Sequence, residues 1–241
     1  MTAPRENIPA RERLIFALDV PDRAQAVQWM DRLDDAVAFY KIGLELLSGG
    51  EYFDVLRELK NRGKRIFADL KLHDIPATVA GAVKGLAGYG IDFCTVHSDA
   101  ASMLRAANEV KGKMRLLAVT VLTSNDRSDL EALGVQGSVT DTVIARAKLA
   151  QDCGIDGVVC SGADLPALRK AAPDLLTVCP GVRPSGPADD DQKRVVDVRT
   201  AFAAGADYIV VGRPIRQAAD PRAMANEIVT QIEGALGQKL A

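Results

Sequence analysis

The densest chemical signal in the chain is Asp69-Leu70-Lys71-Leu72-His73-Asp74, where two carboxylates bracket one ammonium. Side chains alternate across a strand, so a strand over 66–70 places Phe67, Asp69 and Lys71 on one side and Ile66, Ala68 and Leu70 on the other. The apolar set suits packing against helices, which directs the charged set inward, with Asp74 beyond the strand in the following loop. Lys41 and Asp19 stand at equivalent ends of two neighbouring apolar runs. Lys41, Asp69, Lys71 and Asp74 then alternate in sign, and such alternation lets each group stay ionised in a partly dry pocket. The chemistry open to this set is electrostatic. One competing reading is a purely structural ion-pair network at the mouth of the fold. It explains the pairing but not a lysine aimed into a cavity. A second is a divalent metal on two aspartates, which the adjacent lysines oppose by already supplying positive charge. His97 ends a further run and is either a ligand, a general base or a hydrogen-bonded structural residue; by alternation His73 points away from Asp69 and Lys71.

A second signal lies near the end of the chain, in Cys179-Pro180-Gly181-Val182-Arg183-Pro184 and Val211-Gly212-Arg213-Pro214. Glycines let backbone N–H groups approach phosphate oxygens, and an arginine fork offers paired donors to an oxyanion. The two segments together read as a phosphate grip. Residues 181–194, polar and rich in Asp, are long enough to form a lid, making Gln192 a candidate ligand contact.

The elements that must hold these residues recur along the chain. Apolar, β-rich runs occupy 14–18, 38–42, 66–70, 93–96, 116–122, 157–160, 175–179 and 208–211, and helical patterns such as 24–33, 52–61, 77–87, 142–152 and 223–234 lie between them. Eight strand candidates alternating with helices over 241 residues fit a (β/α)8 TIM barrel at about 30 residues per pair, whereas an open doubly wound sheet more often stops at about five or six strands. No repeat, low-complexity tract or linker divides the chain, so the expectation is one α/β domain, residues 13–241, after a polar lead-in of residues 1–12. Barrel active sites lie at the C-terminal ends of the strands. Asp19, Lys41, Asp69, Lys71, His97 and Thr123 all fall at such ends. The two Gly-Arg segments follow strands seven and eight, whose loops hold phosphate in many barrels.

Composition narrows the partners. With 48% hydrophobic and 26% charged residues the chain can bury a large core. A formal charge of −2 argues against nucleic-acid or anionic-membrane binding through bulk charge, so an anionic ligand must be caught locally. The N-terminal residues lack the apolar stretch of a secretory signal, and no apolar run reaches the length of a membrane span. Four scattered cysteines without metal spacing fit reduced thiols in a cytoplasmic protein.

The run from Phe67 to Thr78 resembles the signature of the orotidine 5′-phosphate decarboxylase family. The likeness extends to Leu18-Asp19-Val20, Lys41-Ile42-Gly43, Leu122-Thr123-Ser124, Pro180 to Pro184, Asp191-Gln192-Lys193-Arg194 and Gly212-Arg213-Pro214-Ile215, all in the family's order. Ala77 departs from it, because many members carry Asn there; a loop contact is expected to change rather than the chemistry. The resemblance implies a homodimeric barrel that turns orotidine 5′-phosphate into UMP with no metal and no organic cofactor. It implies Lys71 as proton donor, with Asp69, Asp74 and Lys41 completing the charge network. Asp19 and Lys41 are implied to hold the ribose hydroxyls and Thr123 the pyrimidine side, while Arg183, Gln192, Gly212 and Arg213 hold the phosphate and lid. Ile75 belongs to the same implied substrate-binding set, and Asp74 and Thr78 are implied to reach the neighbouring subunit's site. A related class of sugar-phosphate decarboxylases or aldolases shares the Asp-x-Lys-x-x-Asp run but works with Mg²⁺; the residues flanking that run here favour the nucleotide enzymes. A catalytically silent barrel that senses UMP-like ligands is the remaining alternative, and the intact charged positions oppose it.

Such a decarboxylation sets a specific physical problem. Loss of CO₂ from C6 of a pyrimidine leaves an electron pair in the ring plane, outside the π system. A fixed ammonium beside that carbon attracts the developing carbanion more than the departing carboxylate. At ~4 Å and an effective dielectric near 20 the attraction is about 4 kcal/mol, or roughly three decades of rate.

Overall fold

The computed structural model describes residues 8–184 and 195–237. Among them, eight parallel strands close into a barrel in sequence order, β8 pairing back on β1. The strands are β1 (Leu14–Ala17), β2 (Phe39–Gly43), β3 (Arg65–Leu72), β4 (Phe93–His97), β5 (Arg115–Val119), β6 (Gly157–Val159), β7 (Leu176–Cys179) and β8 (Tyr208–Val211). Helices α1 (Ala10–Arg13), α2 (Arg23–Leu33), α3 (Leu44–Ser48), α4 (Tyr52–Asn61), α5 (Pro76–Ala87) and α6 (Ala101–Val110) occupy the first half of the chain. The second half holds α7 (Arg127–Ala132), α8 (Val139–Asp152), α9 (Leu165–Ala171), α10 (Val198–Ala203), α11 (Arg213–Arg216) and α12 (Pro221–Gly237). The expected TIM barrel is therefore the observed fold.

Every strand expected from the apolar runs is present; β3 runs on to Leu72, and β5 ends three residues early. The pattern of small, β-branched and apolar residues continues to Leu122, but the ladder stops at Val119 because its partner β6 is three residues long. One further bond, from the Thr120 N–H to the Val159 carbonyl, ends the pairing. Alternation along the strands sorts the core into two sets. Tyr40, Ile42, Ile66, Ala68, Cys94 and Leu116 face the helices. Ile15, Ala17, Phe39, Phe67, Phe93, Leu117, Leu176, Val178, Tyr208 and Val210 fill the barrel interior.

The interior is plugged at the N-terminal end and open at the other. Phe39, Phe93 and Tyr208 form an aromatic layer with neighbouring ring centroids 5.1–6.1 Å apart. The Arg65 guanidinium lies 4.3 Å from the Phe39 centroid beneath it and pairs with Glu12 and Asp92. Three local sequences, Gly90-Ile91-Asp92, Gly154-Ile155-Asp156 and Gly205-Ala206-Asp207, lead into β4, β6 and β8. In each, the aspartate accepts an N–H from the preceding strand, at Ile66, Leu116 and Thr177 (2.8–2.9 Å). It is also paired with a cation, Arg65, Lys111 or Arg169. The base of the barrel is thereby held by partly buried charge-assisted hydrogen bonds, and the opposite rim is left to carry chemistry.

Candidate active site

At the C-terminal end of the barrel lies a cavity of about 290 Å³. Its floor is Ala17, Phe67, Val119, Val159 and Val210, and its walls carry Asp19, Lys41, Asp69, Lys71, Thr123, Arg183, Gly212 and Arg213. On one wall four charges form a continuous chain. Lys41 Nζ stands 2.8 Å from Asp19 Oδ1 and 3.5 Å from Asp69 Oδ2, and Lys71 Nζ is 2.9 Å from Asp69 Oδ1. Burial alone pushes the Asp69 carboxyl up, but Lys41 and Lys71, with hydrogen bonds from Lys71 and Thr95, hold it below its ordinary value. Burial pulls the Lys41 ammonium down, and Asp69 and Asp19 more than reverse this, leaving it raised. Both groups remain charged near neutrality.

Strict strand alternation does not produce this convergence. The β3–β4 register shifts between Ala68 and Leu72: Ala68 pairs with Cys94 and Leu72 with Val96, so the segment carrying Asp69 and Lys71 bulges away from the ladder. Lys71 adopts φ 48°, a left-handed conformation costing a non-glycine residue about 1–2 kcal/mol. Buried Thr95 on β4 occupies the bulge. Its Oγ1 accepts the Lys71 N–H at 2.8 Å and donates to Asp69 Oδ1 at 3.0 Å. The hydroxyl thus fixes the backbone of one charged residue and the carboxylate of the other. Bulges that re-aim side chains are common beside active sites.

The structure places Asp74, Ile75 and Thr78 differently from a single-chain alternating cluster. β3 ends at Leu72, and the chain turns through 73–75 before Pro76 opens α5. Asp74 is exposed, its Oδ1 accepting the N–H of Ile75, and neither it nor Ile75 nor Thr78 lines the cavity of its own chain. Ile75 is 66% exposed, unusual for a large apolar side chain. Within one chain the alternating series is therefore Asp19, Lys41, Asp69, Lys71.

The opposite wall carries the arginines. Gly181 takes φ 74° two residues after β7, and the chain then forms a bridge between Val182 and Val196 in which the Arg183 N–H bonds the Val196 carbonyl. Arg183 is almost fully buried. Beyond β8, Gly212 packs so closely on β1 that a Cβ there would lie 3.1 Å from that of Ala17, and α11 begins with Arg213. Gln192, like the rest of the candidate lid over 185–194, lies outside the described residues. Thr123 is buried on the third side, beside Leu122 and Ser124.

Two residues at the site were not among those expected. Thr95 was detectable by parity, since Phe93, Thr95 and His97 share a face. Arg216, one turn after Arg213, also lines the cavity and donates from Nη1 to the Asp19 carbonyl at 2.6 Å. His97 is not among the lining residues. Its ring lies 5.0 Å from that of His73, whose Nε2 is 3.0 Å from Asp99 Oδ1, and burial, aided by the neighbouring His73, lowers its pKa. Among the described residues no cluster of three or more His, Cys, Asp or Glu side chains is arranged to hold a metal ion, and none of their helices is long and apolar enough to cross a membrane.

Five cationic side chains and two carboxylates line the cavity, which therefore suits a multiply anionic ligand with negative charge at both ends. Comparison with known proteins identifies the family. The model of the orotidine 5′-phosphate decarboxylase / HUMPS family matches residues 12–228. The chain is 57% identical over 233 residues to the orotidine 5′-phosphate decarboxylase of Xanthomonas euvesicatoria pv. vesicatoria, covering 96% of each. It is 54% identical over 240 residues to that of Xanthomonas campestris pv. campestris, covering 99% of each. Among solved structures it resembles orotidine 5′-phosphate decarboxylase from Lactobacillus acidophilus, with a TM-score of 0.80 and 34% identity over 92% of this chain and 99% of that one. The enzyme from Pyrococcus horikoshii gives a TM-score of 0.74 and 26% identity over the same shares.

Proposed function

The chain belongs to the orotidine 5′-phosphate decarboxylase / HUMPS family, and we propose that within it this barrel decarboxylates orotidine 5′-phosphate to UMP by electrostatics alone. As a carboxy-lyase of pyrimidine biosynthesis, it must stabilise charge at C6 without help from the ring. The observation that carries the proposal is the ordered chain Asp19, Lys41, Asp69, Lys71 on one wall of the cavity, with Arg183 and Arg213 on the other.

Phosphate is held by Arg183, Arg213 and the backbone at Gly212, with Gln192 as a further contact. Asp19 and Lys41 hold the ribose hydroxyls, and Thr123 meets the pyrimidine edge. The bond from C6 to the carboxylate carbon breaks, CO₂ departs, and the electron pair stays on C6. Lys71 then transfers a proton from Nζ to that carbon and regains one from water, which reaches its partly exposed amine. Asp69 holds the amine in position. Its own repulsion of the substrate carboxylate is damped by the two flanking lysines.

No metal is needed, because Lys41 and Lys71 already neutralise the carboxylates that a divalent ion would require. The working unit is a homodimer in the cytoplasm, each subunit lending Asp74 and Thr78 to its neighbour's site. In support, these residues are exposed in the single chain, as are Leu44 and Leu47 after β2. The deciding experiment incubates the protein with orotidine 5′-phosphate and excess EDTA and follows UMP spectrophotometrically. Full turnover is expected. Activity lost to EDTA and restored by Mg²⁺ overturns the metal-free mechanism, and no UMP under any condition overturns the assignment of substrate.

A further inference from the structure

We propose that Arg216 is a positioning residue that sets ribose specificity by fixing the main chain of Asp19. The inference rests on the reading of Asp19 as a ribose contact and extends it to a residue that has no place in that reading. Arg216 closes α11, four residues that begin with Arg213 one residue past β8, after Gly212. From there it reaches across to the end of β1, where Nη1 donates to the Asp19 carbonyl at 2.6 Å. Its Nε is buried and has no hydrogen-bond partner among the described residues. The bond from Nη1 to the Asp19 carbonyl orients the fork.

Asp19 lies two residues beyond β1 and outside any barrel ladder, and its side chain is 41% exposed. Residue 18 is tied to Lys41 through its N–H. On the C-terminal side of Asp19 comes Val20, then Pro21, which has no N–H to offer. Without Arg216 the carboxylate would be located chiefly by its bond to Lys41, whose ammonium is shared with Asp69. With Arg216, the helix that carries a phosphate contact also fixes the sugar contact. A hydroxyl is then presented to a carboxylate held at both its main chain and its head group.

The test measures dissociation constants of UMP, 2′-deoxyUMP and 3′-deoxyUMP, the preference being that for UMP over whichever deoxynucleotide binds more weakly, for the intact protein and for Arg216→Met, Arg216→Lys and Asp19→Asn. A hydrogen bond from a hydroxyl to a fixed carboxylate predicts a preference for UMP of at least ~10-fold in the unaltered protein. Arg216→Met is expected to reduce that preference at least ~3-fold, and Arg216→Lys, which restores a single donor, to recover most of it. A general structural defect weakens all three ligands by the same factor; that result, or an unchanged preference in Arg216→Met, overturns the inference. Asp19→Asn separates the two layers. If it abolishes the preference while Arg216→Met does not, only the inference about Arg216 fails. If it leaves the preference intact, the ribose reading of Asp19 fails and takes the inference with it. Should Arg216→Met not fold, Arg216→Gln, whose neutral amide is too short to span the distance to the Asp19 carbonyl, is expected to show the same selective loss, and equal weakening of all three ligands in it overturns the inference.

Discussion

Replacing Thr95 by Val removes one hydroxyl and almost no volume, yet it strikes both sides of the β3 bulge. The hydroxyl donates to Asp69 Oδ1 and accepts the Lys71 N–H. A hydrogen bond to a charged group contributes about 1.5–3 kcal/mol, and an amide donor left without a partner costs about 1–3 kcal/mol. The Lys71 amide is only partly buried, so water recovers some of the second term and the expected loss of stability is about 2–4 kcal/mol. The catalytic effect follows from geometry. Lys71 holds its φ of 48° because its surroundings over-determine it; without Thr95 it relaxes, and a displacement of ~1 Å at the amine is worth up to ~100-fold in rate. Urea unfolding and steady-state kinetics of Thr95→Val and Thr95→Ser measure both effects. Serine keeps the hydroxyl, so it should remain within about 1 kcal/mol and about 3-fold of the unaltered protein. The valine variant should lose stability with m unchanged and should lose kcat more than it raises KM. If valine and serine behave alike in both assays, Thr95 does not hold the catalytic pair.

Lys71→Ala should lower kcat by at least ~10³-fold, the size of one charge contact near a carbanion, while still binding a UMP analogue; near-normal turnover would remove Lys71 from the mechanism. Homodimers of Lys71→Ala and of Asp74→Ala should each be nearly inactive, and subunit exchange between them should restore activity through one intact site per heterodimer. Absence of recovery after exchange has been verified by mass spectrometry contradicts the shared site. The pH dependence has a defined sign. Asp69 is held below its ordinary value, so its contribution to stability is present above about pH 3.9 and is lost as pH falls through the lower folded value. Lys41 is raised, so its contribution is present below about pH 10.4 and is lost as pH rises through the higher folded value. Unfolding free energy measured against pH should show the network's contribution level across neutrality, and Asp69→Asn should weaken the acid limb; an unchanged acid limb in that variant refutes the assignment.

The barrel is legible in the chain because periodicity, strand count and total length agree, and each can be counted residue by residue. The inward placement of Lys41 and Asp19 is legible for the same reason, each lying two residues beyond an interior side chain, Phe39 and Ala17. The bulge at Asp69 to Lys71 is not. Its left-handed residue is a lysine and not a glycine, and its stabilising partner, Thr95, is 24 residues away on another strand. Strict alternation reaches the right face here for an incomplete reason: the residues converge by a register shift that no local pattern announces. Asp74 shows the opposite limit. Its spacing from Lys71 invites it into the same cluster, but the strand ends at Leu72 and the loop carries it outward. A sequence periodicity cannot say to which chain's site an exposed loop residue belongs; here the family resemblance supplies that expectation.

The magnitudes also decide which parts of the site must cooperate. Enzymes lower barriers by about 8–23 kcal/mol, and one ammonium near the reacting carbon supplies about 4. The remainder has to come from holding the substrate in place and excluding water, which turns attention to the wall opposite Lys71. That wall is connected to the reacting end through identified contacts. Gly212 rests on Ala17, Arg216 holds the Asp19 carbonyl, Asp19 meets Lys41, Lys41 meets Asp69, and Asp69 meets Lys71. On the proposed roles, grip at the phosphate end fixes distances at the carbon end through these contacts without any long-range motion. The same contacts explain what the anionic members of the chain contribute although they oppose an anionic ligand. Without Asp19 and Asp69 the two lysines would repel each other and neither amine would have a fixed position, so positive charge would be present but not preorganised. It is the position of the charge, more than its amount, that distinguishes the transition state from the bound substrate.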